Sequence, residues 1–208
     1  MNKDNIEKRY YEGEIVKPDD TSRHVEGYAL VFDSRSVDLG FYETIERGAI
    51  SQEMVDNCDV FALLNHDEDK VLARSNSSLK LTVDERGLKY EFDAPHTSLG
   101  DELLEHISRG EIDSSSFAFV VDWNDKEAQT WERRDGVTYR TIKKIDYISD
   151  VSPVYRAAYS ATSVSKRAKD EAKQIVEAEQ KALEEARCKE INDKLDALTR
   201  EIDEIAKI

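Results

Sequence analysis

Hydrophobic and polar residues alternate along most of the chain between residues 10 and 160. Residues 79–83 and 88–92 each carry an apolar side chain at every second position, and a polar turn at 85–87 separates the two runs. A period of two places successive side chains on opposite faces of a strand, so each run has one apolar face. This segment therefore predicts a β-hairpin.

A second hairpin is predicted over residues 130–142, because Asp135-Gly136 is a dipeptide suited to the tight turn between two strands. Two stretches with helical spacing interrupt the strands, at residues 49–57 and 99–108, and a glycine follows the second. Many short strands with few helices predict a mainly β (α+β) fold. We expect an antiparallel β-barrel, closed or nearly closed, with helices packed outside it.

The pattern changes at Lys166, after which the chain has no proline, glycine or aromatic residue and is rich in alanine, glutamate and lysine. This composition predicts a long, charged helix. Apolar residues then recur at alternating spacings of three and four, as in a coiled coil: Cys188, Ile191, Leu195, Leu198, Ile202 and Ile205. The helix could pair with another helix or fold back on the barrel. We expect a domain at residues 1–160, then a linker and this helix at residues 161–208.

Composition narrows the classes of function. The formal charge is −15 over 208 residues, which argues against a nucleic-acid-binding protein. The start of the chain lacks the apolar stretch of a signal peptide, and no run approaches the length of a membrane span, so a soluble, intracellular protein without membrane contact is expected. Cys58 and Cys188 are far apart in sequence, and with four scattered histidines they predict neither a disulfide framework nor a metal site.

Two segments carry candidate chemistry. The segment RGEIDSSSFAFVV reads as a strand in which Phe117 and Phe119 face the core and Ser116 faces the other way. Serine is a common nucleophile when a base lies beside it, although a strand serine is also a common small packing residue. Ser114 lies on the same face as Ser116 and Ser115 on the opposite one, so the alternation alone leaves the choice of serine open.

His66 follows the apolar run of residues 60–64 and precedes three acidic residues. Histidine is the most frequent general base in enzymes, and together with Ser116 it could form the reactive pair of a serine hydrolase. A histidine at the end of a strand can equally be a solvent-facing turn residue.

Six segments, in this order, resemble the prohead (capsid maturation) proteases of tailed bacteriophages. They are EGYALVFDSRS at 26–36, YETIERGAI at 42–50, LLNHDEDKVLARS at 63–75, DERGLKYEFDAP at 84–95, ISRGEIDSSSFAFVV at 107–121 and ISDVSPVYRAAYSAT at 148–162. The resemblance spans about two thirds of the chain. Its most specific parts are the Asn-His-Asp step at 65–67 and the Ser-Phe-Ala-Phe step at 116–119.

The resemblance implies a serine endopeptidase in which Ser116 is the nucleophile, His66 is the base and Asp150 orients the histidine. We expect Asp150 in the third role rather than Asp67, because a residue next to the histidine in an extended strand points to the opposite face. Asp150 could instead be an edge-strand residue, since Pro153 indicates that its strand is ending. The resemblance implies no cofactor and no metal.

The resemblance does not locate the groups that stabilise the oxyanion. Arg133 and Arg134 are candidates, although a surface hairpin would explain both equally well.

The resemblance also implies a fold like that of the herpesvirus assembly proteases and action inside the immature capsid in the host cytoplasm. The implied substrates are the major capsid protein with its scaffolding region, the scaffold and the protease itself, and the linker at 157–165 is a candidate site of self-cleavage. The C-terminal helix could bind scaffold helices or a second copy of the chain.

The sequence is also compatible with two other functions. The first is a non-catalytic capsid assembly or scaffolding protein whose serine and histidine are incidental. The second is a general intracellular esterase, which is disfavoured because the chain lacks the Gly-x-Ser-x-Gly nucleophile elbow.

Overall fold

In the computed structural model, the described residues are 6–11, 15–16, 22–155 and 166–205, and the side chains of the last helix are described over 167–195. These residues form twelve strands and three helices. Their bounds, in chain order, are β1 Glu7–Tyr11, β2 Ile15–Val16, β3 His24–Val31, β4 Tyr42–Ile45, α1 Gln52–Asp56, β5 Phe61–Leu63, β6 Val71–Arg74, β7 Lys80–Val83, β8 Gly87–Asp93, α2 Ser98–Ser108, β9 Ile112–Val120, β10 Gln129–Arg134, β11 Val137–Ile142, β12 Tyr147–Tyr155 and α3 Lys166–Ile205.

The strands form three separate sheets, with orders β1-β9-β12-β5-β6, β10-β11-β4 and β2-β3-β8-β7. The predicted mainly β fold with helices is confirmed, but the prediction of a closed barrel is wrong: in the described part of the chain no ladder joins the edge strands of one sheet to those of another. Register shifts in the β3–β8, β5–β6 and β9–β12 ladders interrupt regular pairing. Such irregularities bend strands and increase their local twist.

The expected antiparallel arrangement is also wrong at two places. Strand β11 pairs with β4 in parallel, and β12 pairs with β5 in parallel. Parallel neighbours need long connections between them, and here each connection carries other strands and at least one helix. These long-range pairings bring distant parts of the chain to one sheet.

Both predicted hairpins and both short helices are confirmed. Strand β7 pairs with β8, and β10 pairs with β11 through a turn in which Asp135 and Gly136 have φ values of 51° and 78°. Helix α1 begins after Ser51, whose hydroxyl accepts from the Met54 N–H, and α2 begins after Thr97 in the same way. Such caps satisfy amide groups that have no partner within the helix.

One hydrophobic core joins the three sheets. It includes Tyr90 of β8, Phe117 and Phe119 of β9 and Ile142 of β11, all with no exposed surface. Burial of such apolar surface is the main favourable contribution to folding. The core therefore holds together sheets that share no ladder.

The first turns of helix α3 contact the rest of the molecule. Ala168 and Ala172 are buried in a small second cluster with Leu39 and Phe41, and Arg133 of β10 forms an ion pair with Glu179. Every side chain over 180–195 is exposed. The sequence predicted that this helix either folds back on the rest of the chain or pairs with another helix. Its first turns fold back, and pairing of its later turns with another helix stays a prediction. None of the described helices is both long and apolar enough to cross a membrane.

Four buried charged side chains connect β1 to the β10-β11-β4 sheet. Arg9 of β1 binds both oxygens of Glu43 at 2.6 and 2.8 Å and one oxygen of Glu7 at 2.6 Å. Arg140 of β11 binds Glu7 at 2.7 and 2.9 Å and Glu43 at 2.8 Å. Two carboxylates thus face two guanidinium groups, and all four side chains are at most 6% exposed. We call these four residues the buried ion cluster.

Burial by itself would raise the pKa of Glu7, because it disfavours the charged carboxylate. The charges of Arg140 and Arg9 and their hydrogen bonds outweigh this effect, so the pKa of Glu7 lies below its ordinary value. Glu43 also contributes to holding the pKa of Arg9 above the usual range of a guanidinium, against the opposing effect of burial. Glu7 and Arg9 therefore stay charged at neutral pH.

We expect Glu43→Gln to lower the free energy of unfolding by about 3–5 kcal/mol, because it leaves a buried guanidinium charge without its counter-charge. Urea unfolding followed by circular dichroism measures the change. The matched control is Glu190→Gln, which removes an exposed partner of Lys194 on α3 and should leave the midpoint unchanged. Equal midpoints for all three proteins would show that the cluster contributes nothing to stability.

A second prediction concerns the stability of the protein at low pH. Because the pKa of Glu7 is lower in the folded protein, its contribution to stability is complete above the ordinary value of 4.5 and is lost as the pH falls below it. The free energy of unfolding of wild type should therefore exceed that of Glu7→Gln at pH 7, and the difference should shrink from pH 4.5 downward. Unfolding curves at several pH values measure it, and a difference that is constant with pH would contradict the assignment.

Candidate active site

Strand β9 places Ser116 in the five-stranded sheet, between the edge strand β1 and the central strand β12. Phe117 and Phe119 point into the hydrophobic core, as predicted. Since side chains alternate along a strand, Ser116 lies on the opposite face of the sheet. In the ladders, Tyr10 of β1 and Ser152 of β12 are its direct neighbours.

His66 lies in a turn that follows β5. Asn65 and His66 have φ values of 56° and 58°, a left-handed conformation that is uncommon for residues other than glycine. The Asn65 N–H donates to the carbonyl of Pro153 at 2.9 Å, which fixes the turn to β12. Because His66 is not in an extended strand, the alternation argument used against Asp67 does not apply. Asp67 instead accepts from the Asp69 N–H in its own turn.

Strand β12 supplies Asp150 on the same face as Ser116. A register shift in the β9–β12 ladder lies between Ile148 and Asp150, after which Asp150 pairs with Ala118 and Ser152 pairs with Ser116. The shift sets which β12 side chains lie beside Ser116.

The structure brings the three predicted residues into one chain of hydrogen bonds. His66 Nε2 lies 2.6 Å from Ser116 Oγ, and His66 Nδ1 lies 2.5 Å from Asp150 Oδ1. These partners are 50 and 84 residues from the histidine in sequence. The side chains of His66 and Asp150 are 12% and 9% exposed, and Ser116 is 4% exposed. An imidazole held between a hydroxyl and a carboxylate can take a proton from one while the other stabilises its charged form.

The two other serines of β9 have different partners. Ser114 Oγ donates to Asp113 at 2.7 Å. Ser115 Oγ lies 2.8 Å from the hydroxyl of Tyr90 within the core, where burial raises the pKa of the Tyr90 hydroxyl well above its ordinary value. Neither serine contacts His66, so the geometry favours Ser116 among the three.

The sequence did not reveal three further contacts. Ser116 Oγ lies 2.8 Å from the carbonyl of Arg9, so the strand that carries two members of the buried ion cluster also touches this hydroxyl. A hydroxyl has one hydrogen and donates to only one of its two acceptors at a time. On the other side, Ser152 and Ser149 donate to the Asp150 carboxylate at 2.8 and 3.4 Å. Ser152 could have been found, because residues two apart in a strand share a face.

Other candidates from the sequence lie elsewhere. Arg133 binds Glu179 and Arg134 binds Glu132, and neither arginine contacts the three residues above, so these contacts favour the surface-hairpin interpretation.

Both cysteines are free. One cluster of possible metal ligands occurs in the described part of the chain, formed by His24, Glu26 and Glu91. Its two carboxylates are bound by Lys89 and Lys80 at 2.7 and 2.9 Å, and a cation would have to displace these ammonium groups.

Comparison with known proteins places the chain in a family. Residues 11–175 match the family model described as caudovirus prohead serine protease. Among solved structures, the chain is similar to the bacteriophage T4 capsid assembly protease, with 12% sequence identity and a TM-score of 0.47, over 72% of this chain and 95% of that one. No curated protein matches the chain. Because the family model covers well over half of the chain, this protein belongs to the caudovirus prohead serine proteases and is a serine peptidase of phage capsid maturation.

Proposed function

We propose that the protein cleaves peptide bonds with Ser116, His66 and Asp150 and that its targets are the scaffolding region of the major capsid protein, the scaffold and its own chain. The main support for this assignment is a pair of hydrogen bonds made by the imidazole of His66, to Ser116 Oγ at 2.6 Å and to Asp150 Oδ1 at 2.5 Å. Chance burial of a serine and a histidine would not require this order of hydroxyl, imidazole and carboxylate.

The reaction has two halves. Ser116 Oγ attacks the carbonyl carbon of the scissile bond while His66 Nε2 takes the hydroxyl proton, and the proton then passes to the leaving amine as the C–N bond breaks. Water attacks the resulting ester, His66 takes its proton, and the proton returns to Ser116 as the acid product leaves. Asp150 holds Nδ1–H throughout, so Nε2 faces the serine and the imidazolium is stabilised.

The site of action that we propose is the interior of the immature capsid, after assembly in the host cytoplasm. Family membership supports a role in capsid maturation. The formal charge of −15 supports a function without nucleic acid as a partner, and the proposed function involves no membrane. A relation to the herpesvirus assembly proteases stays a prediction.

Two alternatives fit less well. A non-catalytic assembly protein would have no need for a hydrogen-bonded serine, histidine and aspartate on one face of a sheet. A general esterase would share the chemistry, but membership in a family of prohead proteases favours peptide substrates within the capsid.

The direct test is co-expression with the capsid and scaffold proteins encoded beside this chain, followed by the intact mass of every product. Wild type should give discrete truncations of these proteins and of itself. Ser116→Ala and His66→Ala should slow cleavage by about 10⁴-fold or more, and Asp150→Asn by about 10⁴-fold, because each removes a group that acts in both halves of the reaction.

The matched control is Ser114→Ala, which removes a buried hydroxyl from the same face of β9 without touching His66. It should cleave like wild type. If capsid shells form but wild type leaves every protein at full length, the non-catalytic assembly role would be favoured. Truncation that persists in Ser116→Ala would show that another residue is the nucleophile.

Helix α3 is proposed to hold the protease to the scaffold inside the shell. Its later turns expose Leu183, Ile191 and Leu195, with 65%, 48% and 56% of their surface accessible. Exposed apolar residues along one helix are suited to packing against another helix. These residues lie beyond Ala168, Ala172 and Glu179, which contact the body, so the later turns can be removed without disturbing those contacts.

We expect a chain that ends at residue 182 to fold and to react with a fluorophosphonate at Ser116 like wild type. We expect the same chain to be missing from purified proheads. The measurement is the number of protease copies per prohead, by quantitative mass spectrometry. Full-length Ser116→Ala is the control, because it keeps the helix and cannot remove itself by cleavage. Wild-type incorporation of the shortened chain would contradict the role of the helix.

A further inference from the structure

Ser152 is a buried hydroxyl beside the candidate active site that the triad does not include. It has no exposed surface. It lies two residues after Asp150 on β12 and directly opposite Ser116 in the β9–β12 ladder. Its position is therefore fixed by the same pairing that brings Ser116 and Asp150 together.

The hydroxyl of Ser152 contacts both partners of the central hydrogen bond. Its Oγ donates to Asp150 Oδ1 at 2.8 Å and lies 3.2 Å from His66 Nδ1. An ionised carboxylate only accepts hydrogen bonds, so the 2.5 Å contact favours the tautomer with its hydrogen on Nδ1, directed at Oδ1. The three atoms then form a closed triangle in which Ser152 gives its hydrogen to the carboxylate and presents a lone pair to the imidazole N–H. A rotation of the carboxylate would break the Ser152 bond as well as the His66 bond.

Ser149 is the other hydroxyl near this carboxylate, and its contact is weaker. Its Oγ is 3.4 Å from Asp150 Oδ2, and the same hydroxyl lies 3.3 Å from the carbonyl of Ala118. Hydrogen bonds between hydroxyl and carboxylate are usually well under 3 Å. Apart from His66, Ser152 is thus the stronger donor that fixes the orientation of Asp150.

We propose that Ser152 is a positioning residue for the triad, which orients the Asp150 carboxylate and, through it, the imidazole of His66. The proposal rests on the function proposed above. It extends the hydrogen-bonded set from three side chains to four, with Ser152 acting on the reaction only through Asp150 and His66.

Rate constants for labelling of Ser116 by a fluorophosphonate test this role without a known peptide substrate. Ser152→Ala should lower the maximal labelling rate by about 10- to 100-fold, the loss expected for one hydrogen bond to a charged group, while the concentration of probe at half-maximal rate stays unchanged. Ser152→Thr keeps the hydroxyl and should recover most of the rate. Ser114→Ala again serves as the control for loss of a buried serine hydroxyl.

A second readout follows the hydrogen bond itself. The proton between His66 Nδ1 and Asp150 should give a far-downfield resonance in proton NMR spectra, and this resonance should move or disappear in Ser152→Ala but not in Ser114→Ala. If Ser152→Ala does not fold, Ser152→Cys replaces it with the same expectation, because a thiol is a weak donor.

A wild-type labelling rate and an unchanged resonance in the folded variant would overturn the proposal. So would slow labelling by Ser152→Thr at an unchanged melting temperature, because the hydroxyl would then be present without effect. Failure of wild type to label would instead count against the proposed function, and the NMR comparison would still decide whether Ser152 orients Asp150.

Discussion

The buried ion cluster is the interaction on which the arrangement of the sheets depends. Four charges that have left water must satisfy one another, so Glu7 and Arg9 of β1 can occupy their positions only when Glu43 and Arg140 are also in place. This requirement joins two sheets that share no ladder. It also fixes β1 beside β9, where the carbonyl of Arg9 contacts Ser116.

The candidate active site depends in turn on the register of β9 against β12. With Ser116 opposite Ser152, the hydroxyl of Ser116 and the carboxylate of Asp150 lie on one face, and the turn that contains His66 closes over both. A slip of one residue would move Ser116 to the core face and bring Ser115 or Phe117 into its place. The two phenylalanines in the core prevent this slip, since they would have to leave it. Core packing and site geometry are therefore set by the same alternation.

The sequence predicted the features that depend on local pattern and missed those that depend on distant partners. Both hairpins and both short helices follow from alternation, turn residues and helix ends. His66 and Ser116 were candidates from their own segments, and the resemblance selected Ser116 among three serines and added Asp150. No spacing could have placed the three together across separate elements. Strand β1 was missed because charged residues occupy its buried positions, which makes the strand look solvent-exposed on both faces. The two parallel pairings were missed because they join segments separated by many other elements.

Strand β9 lies between the first and the last strand of the described residues, and this has a consequence for synthesis. Its neighbours are β1 at residues 7–11 and β12 at residues 147–155. A nascent chain that has emerged from the ribosome only as far as β9 has Ser116 and His66 but lacks the strand that carries Asp150. For the triad proposed above, translation would complete the set of catalytic side chains only once β12 has been made, so activity would appear late in synthesis.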